Sequence, residues 1–258
     1  MERFTEDGYA VFPGFKSRNE LDELRTRAEA IARDGASEPV SIFSTGDQAR
    51  NSDEHFLTSG DKIRCFFEED GRTVNKIGHA MHDLDAVFDR FSHDGRLAEI
   101  AARAGLTQPV LYQSMYIFKQ PRVGGVVDWH QDAAFLRSDP VSVTAFWFAL
   151  DDADRTNGCL WVQPGGHRSP LRNQFVVRDG KAELQTLDAT PWPDLAQAVP
   201  VEVEAGTLVV FNGLLPHYSA PNTSERPRHA YTLHALDVRA QYAADNWLQR
   251  PDLPLRGF

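Results

Sequence analysis

Two stretches of this chain, 110–118 and 141–150, are dense in β-branched and aromatic residues, the composition of strands buried within a sheet. Shorter candidates follow at 159–163, 174–178, 200–203, 207–212 and 228–237, each set off by Gly, Pro, Asn or Asp. So many short strands must close on one another or pack as two layers. The chain before residue 109 has a different texture. Ser17 followed by Glu20 is a capping box, Leu21, Leu24, Ala28 and Ile31 form an apolar stripe, and Gly35 ends it. Residues 36–62 are polar and predict a long loop. Ile77, Met81, Leu84, Phe88 and Phe91 predict a second helix, and Leu97, Ile100, Ala101 and Ala104, closed by Gly105, a third. Helices first and strands afterwards predict a mainly β fold with flanking helices, an antiparallel sandwich or barrel. With no linker in sight, the expectation is a single domain over 1–258, helix-rich over 1–108, with its barrel strands mainly in 109–240.

Charge and cysteine content narrow the function. The formal net charge is −10, from 27 Lys+Arg against 37 Asp+Glu, which disfavours a nucleic-acid partner because phosphates require a basic footprint. Cys65 and Cys159 cannot build a disulfide framework, and no apolar run reaches the ~20 residues of a membrane span. The expectation is a cytoplasmic protein with no membrane partner.

Three stretches carry chemistry. His130 and Asp132 stand two apart, so on a strand they share a face and can meet one metal ion. Nine histidines among this many acids make a lone His-x-acid unremarkable. His217, which follows the apolar strand 207–212 and a Gly turn, adds a third ligand type. Two imidazoles and one carboxylate suit non-haem Fe(II), and they suit a zinc hydrolase as well. Arg228 favours the first. At the head of the strand 228–237 it shares a face with Ala230, Thr232 and His234, and an inward guanidinium needs an anion such as a dicarboxylic cosubstrate. Arg226, separated by Pro227, is placed in the turn. Gln113 shares the face of Met115, where it can bond ligand or cosubstrate or be a buried amide satisfied by backbone.

The chain resembles the phytanoyl-CoA dioxygenase family of Fe(II)/2-oxoglutarate oxygenases, and within it the domain-containing-protein-1 type that lacks a peroxisomal address. The matching stretches are Phe4-x-x-Asp7-Gly8-Tyr9, Ser59 to Arg64, Asn75 to Ala80, Gln113 to Pro121, His130-Gln131-Asp132-Ala133, Asn157 to Trp161 and Asn246 to Gln249. The run from Gln113 to Pro121 is far more specific than His-x-Asp. The loop 68–73 looks trimmed, and 164–200 matches only loosely. The resemblance implies a double-stranded β-helix, a cupin-like jelly-roll barrel. It implies iron held by His130, Asp132 and His217 as catalytic ligands, and the distal carboxylate of 2-oxoglutarate on Arg228 helped by Ser219. Lys76, Met115 and Trp147 would line the cosubstrate pocket, with Gln131 beside it. The implied reaction hydroxylates an unactivated C–H bond of a small molecule with O2, releasing succinate and CO2, with ascorbate as an accessory reductant and the enzyme a monomer. Asp132 disfavours halogenation, which needs that ligand position free for chloride. The alternative from a different class is a non-enzymatic cupin-like sensor of 2-oxoglutarate or metal.

Overall fold

The computed structural model describes residues 1–35, 39–43 and 53–258. Its elements in chain order are α1 (Glu2–Asp7), β1 (Tyr9–Phe12), α2 (Arg18–Asp34), α3 (Glu54–Leu57), β2 (Ile63–Phe67), β3 (Val74–His79), α4 (Met81–Leu84), α5 (Ala86–Ser92) and α6 (Gly95–Arg103). Strands then dominate: β4 (Pro109–Ile117), β5 (Val127–His130), β6 (Ser138–Asp139), β7 (Thr144–Ala149), β8 (Leu160–Val162), β9 (Asn173–Arg178), β10 (Lys181–Thr186), β11 (Val199–Val201), β12 (Leu208–Asn212), β13 (His217–Ser219), β14 (Ala230–Asp237) and β15 (Gln241–Tyr242).

The large sheet runs β1-β12-β7-β14-β4-β3-β2, and a smaller one runs β11-β8-β13-β5. Every pairing in both is antiparallel. The two sheets are joined through packing rather than by a closed ring of hydrogen bonds, so the jelly roll is two facing layers and not a continuous barrel.

Strand alternation decides what each face covers. On β7 and β14, Phe146, Phe148, Tyr231, Leu233 and Ala235 point to the helices, where they pack with Leu24, Phe88, Phe91 and Leu97. Ala145, Trp147, Ala149 and Ala230 point to the smaller sheet and meet Leu160, Val162 and Val201. β14 is buried along its whole length because both faces are covered.

The α2 reading holds, capping box included: Ser17 Oγ accepts from the Glu20 amide at 3.4 Å and the Glu20 carboxylate accepts from the Ser17 amide at 2.8 Å. The helix expected across Ile77 to Phe91 is instead a strand and two short helices. Ile77 sits in β3 opposite Tyr116 of β4. Asp85 then divides α4 from α5, accepting from the amides of Val87 and Phe88 and from Arg27 Nε at 2.6 Å. Leu84, expected on the buried stripe, is 49 % exposed. The first 108 residues also supply three strands of the large sheet, β1, β2 and β3. Their apolar residues mimic helix spacing because sheet and helices share one core. Within the loop expected over 36–62, α3 forms behind the Asp53 cap. Positions 36–38 and 44–52 of that loop lie outside the described residues. Among the described residues no helix is long and apolar enough to cross a membrane.

Candidate metal centre and cosubstrate pocket

His130 ends β5, Asp132 opens the one-turn 3-10 helix that follows, and His217 starts β13, which pairs with β5 so that His217 lies opposite His130. The expectation that His130 and Asp132 share a strand face is met by a different local structure. The chain leaves the strand at Gln131, and the tight turn swings the carboxylate back under the imidazole. One donor atom from each of the three lies within 4.8 Å of the others. His130 Nε2 and His217 Nε2 stand 3.5 and 3.6 Å from Asp132 Oδ1. Two ligands held ~2.1 Å from one ion are ~3.0–3.4 Å apart in octahedral or tetrahedral geometry, so both imidazole–carboxylate distances lie within a few tenths of an ångström of what a metal requires.

The tautomers are set by backbone carbonyls. His130 Nδ1 donates to Asp128 O at 2.8 Å and His217 Nδ1 to Leu215 O at 3.0 Å, which leaves both Nε2 lone pairs facing the centre. Burial, and then the neighbouring His130, push the His217 imidazole down to about 4, so it is neutral. Burial alone would raise the Asp132 carboxyl, but His217, His234 and His130 outweigh it and hold the group well below the carboxylate range. Neutral imidazole and ionised carboxylate are the forms a metal requires. His234 Nε2 donates to the other oxygen, Asp132 Oδ2, at 3.2 Å, so only Oδ1 faces the two imidazoles.

The cavity beside this set is walled by the inner faces of both sheets. Lys76, Gln113, Met115, Trp147, Ser219 and Arg228 all line it with the three candidate ligands. Gln131 does not. Alternation turns its side chain away, where it donates to Pro170 O and Leu214 O and accepts from the Arg172 amide, tying loops together behind the centre. Met115 is half-buried, facing the cavity rather than packed in the core. Trp147 lines the cavity and packs in the inter-sheet core at once, with the Arg228 guanidinium 5.6 Å from its ring.

Arg228 is 1 % exposed and has no carboxylate partner among the described residues. Nε donates to Gly158 O at 3.0 Å, Nη2 donates to Ser219 Oγ at 3.1 Å, and Nη1 is buried with no partner. Ser219 Oγ in turn donates to Gly158 O at 2.9 Å. Burial pulls the guanidinium down to about 10. A buried cation with one orphaned donor is the signature of a site built for an anion. Arg226 lies outside the pocket, exposed and paired with Asp154. Lys76, 4 % exposed, carries its ammonium 3.0 Å over the Phe43 ring, and burial lowers it to about 7 against the pull of Glu68.

Sequence reasoning missed several participants. Lys119 is buried, and its Nζ donates to Gly125 O at 2.8 Å while Glu68 accepts from the Gly125 amide at 3.4 Å. The Gly124-Gly125 turn is thus bonded through both the carbonyl and the amide of Gly125. Phe56, His79, Phe135, Phe175 and Trp247 complete the walls. They come from α3, β3, the turn after Asp132, the β9–β10 hairpin and the C-terminal segment. His79 and Trp247 fall in stretches that carry the family resemblance, whereas the only sequence signal of Phe56, Phe135 and Phe175 was aromaticity, which core packing explains equally well.

Comparisons with known proteins agree with this geometry. The family model described as phytanoyl-CoA dioxygenase (PhyH) matches residues 4–230. A phytanoyl-CoA dioxygenase of Arabidopsis thaliana is 39 % identical over 267 residues, spanning 98 % of this chain and 94 % of that protein. The phytanoyl-CoA dioxygenase domain-containing protein 1 of Bos taurus is 39 % identical, spanning 98 % and 95 %. Among solved structures, EctD from S. alaskensis, crystallised with 2-oxoglutarate and 5-hydroxyectoine, superposes with a TM-score of 0.69 at 22 % identity, covering 98 % of this chain and 80 % of that one. At that identity the likeness speaks for the fold, a double-stranded β-helix.

Proposed function

The chain belongs to the phytanoyl-CoA dioxygenase family of 2-oxoglutarate-dependent non-haem iron oxygenases, and from that premise we propose that it hydroxylates an unactivated C–H bond of a small molecule at the His130, Asp132, His217 centre. The single observation that carries the reading is Arg228. A zinc hydrolase needs the three ligands but has no use for a buried, unpaired guanidinium in the same cavity. A diacid that chelates the metal at one end and bonds Nη1 at the other accounts for both.

Ferrous iron held by these three side chains supplies the redox chemistry by which O2 is activated as 2-oxoglutarate is converted to succinate and CO2. The balance is one C–H bond, one O2 and one 2-oxoglutarate giving one alcohol, one succinate and one CO2. The chain's own residues do the rest. His130 and His217 present Nε2 because their Nδ1 protons are committed to backbone carbonyls. Ser219 and the Gly158 carbonyl aim the Arg228 fork, and the indole of Trp147 covers one side of it. Lys76 adds a second cation toward the cosubstrate, and Met115 fills space beside it. Apolar walls exclude water, which strengthens these charge contacts. Succinate release from 2-oxoglutarate above a no-protein blank, abolished by Asp132→Ala, tests the reading. Metal and 2-oxoglutarate binding without succinate would instead support a sensor.

A further inference from the structure

The two ends of the cavity differ in chemistry. The strand register places Lys76 opposite Ile117, which lies opposite Ala230, two residues from Arg228. Gln113 lies opposite His234, four residues along β4 and ~13 Å away. Besides the histidines, the charged side chains on the walls are Lys76, Arg228 and Asp132. The first two belong to the cosubstrate end and the third to the metal centre. The end around Gln113 therefore has no lysine or arginine of its own among the described residues, the Asp132 carboxylate lying behind His234, and several of its polar atoms are unsatisfied. The Gln113 carboxamide has no hydrogen-bond partner among the described residues. His234 bonds Asp132 through Nε2, and its Nδ1 is buried and, among the described residues, unpaired. Trp247 Nε1, a donor, is likewise buried and unpaired. Its ring stacks on Phe56 at 4.3 Å with 17° between planes, and Phe135 and Phe175 lie 5.7 Å apart on the hairpin side.

We propose that the Gln113 end of the cavity takes, as the molecule to be oxidised, an uncharged flat ring system carrying an amide or lactam edge. The inference rests on the oxygenase reading of the same site. A carboxamide side chain offers one acceptor and two donors side by side, which an amide edge meets in both senses. A carboxylate offers acceptors only, so it leaves the Gln113 carbonyl facing lone pairs and meets only half of the carboxamide. Flat aromatic walls favour a flat π-face over a branched alkyl chain. A coenzyme A thioester fits poorly, since its phosphates need basic groups and, among the described residues, no lysine or arginine besides Lys76 and Arg228 lines the cavity. Arg122 is paired with Glu225, Arg137 and Arg178 with Asp245, and Arg168 with the carbonyls of Thr5 and Glu6. Arg172 stacks on Trp192 and is not among the cavity walls.

Dissociation constants are measured on the full chain by titration calorimetry for 2-quinolone, naphthalene, 2-naphthoate and octanoyl-CoA, first on the protein alone and then with Mn(II) and 2-oxoglutarate. The expected order has 2-quinolone at least about tenfold tighter than the other three, and Gln113→Leu brings it down to the naphthalene value. Trp247→Phe, which keeps the stacking ring and removes the N–H, weakens 2-quinolone several-fold and decides the matter if Gln113→Leu does not fold. Equal or tighter binding of 2-naphthoate or octanoyl-CoA overturns the proposal, as does failure of 2-quinolone to bind or its indifference to both substitutions. Failure of Mn(II) and 2-oxoglutarate to stabilise the protein counts against the oxygenase reading instead, while the order of the probes on the protein alone still tests this one.

Discussion

Replacing Arg228 by Met should stabilise the protein while destroying its use for a diacid. The guanidinium is wholly buried, and its pKa of about 10 lies well below that of a free arginine. At about 1.4 kcal/mol for each tenfold change in the protonation constant, keeping the charge in the empty pocket costs about 3 kcal/mol at neutral pH. Its hydrogen bonds to Gly158 O and Ser219 Oγ return roughly 1 kcal/mol each. Methionine removes both contributions and keeps an apolar stem over Trp147. The Gly158 carbonyl remains satisfied because Ser219 still donates to it. The net gain is about 1 kcal/mol, a rise in Tm of roughly 2–4 °C for a chain of this size. The same change removes the charged partner of the bound diacid, which costs about 2–5 kcal/mol, or roughly 30-fold to several-thousand-fold in affinity. Differential scanning calorimetry, run without ligand and with Mn(II) plus 2-oxoglutarate, reads both effects. The expected result is a higher Tm without ligand and a greatly reduced ligand shift. An Arg228→Met protein that melts lower and keeps its full ligand shift would show instead that the arginine is structural.

Lys76 makes cosubstrate binding pH-dependent. Its pKa of about 7 means the empty protein is largely deprotonated there at pH 8, so binding a dianion takes up a proton. The 2-oxoglutarate Kd should rise by up to about tenfold per pH unit above 7, calorimetry in buffers of different ionisation enthalpy should register the proton, and Lys76→Arg should flatten the profile. The folded value lies below that of a free lysine, so the unfolded chain binds more protons above pH 7, and the lysine's cost to the empty protein fades as pH rises through that window. Gly158→Ala should cost about 2–4 kcal/mol in chemical denaturation and weaken 2-oxoglutarate as well. Its φ is +86°, and a Cβ there would lie 2.5 Å from Ala220 O and 2.3 Å from Lys119 Cε, displacing the carbonyl that aims Arg228. His234→Leu leaves Asp132 Oδ2 without its donor and should weaken Mn(II) binding about 10–100-fold by electron paramagnetic resonance titration, while His234→Gln, which keeps an N–H, recovers most of it.

β4, β7, β8, β9, β11, β12 and β14 were readable because their residues alternate against covered faces, as on β7, where Ala145, Trp147 and Ala149 turn inward and Phe146 and Phe148 outward, whereas the largely polar β10 and the short β6, β13 and β15 were not. β3 was not readable. Ile77 and Met81 are both buried in the helix-facing core, so a strand residue and a helix residue four apart imitate one helical stripe. The candidate ligands stand out in sequence because few other reasons bring His130, Asp132, His217 and Arg228 inward together. Gln131 was misplaced because a motif fixes the chain path, whereas alternation fixes where the middle side chain points. Lys119 and Glu68 were invisible because a lysine or glutamate in sequence carries no mark of burial. Only the fold, which brings both to Gly125, reveals it.

His130, Asp132 and His217 would together hold one ferrous ion, and Arg228 the far carboxylate of a diacid bound beside it. Anaerobic titration of the protein with Fe(II) and 2-oxoglutarate, followed by visible absorption, tests it most directly. The expected result is a weak charge-transfer band that saturates at one iron and one 2-oxoglutarate per chain, is absent in Asp132→Ala, and needs far more 2-oxoglutarate in Arg228→Met. No band in the parent protein, or a band indifferent to both substitutions, would contradict it.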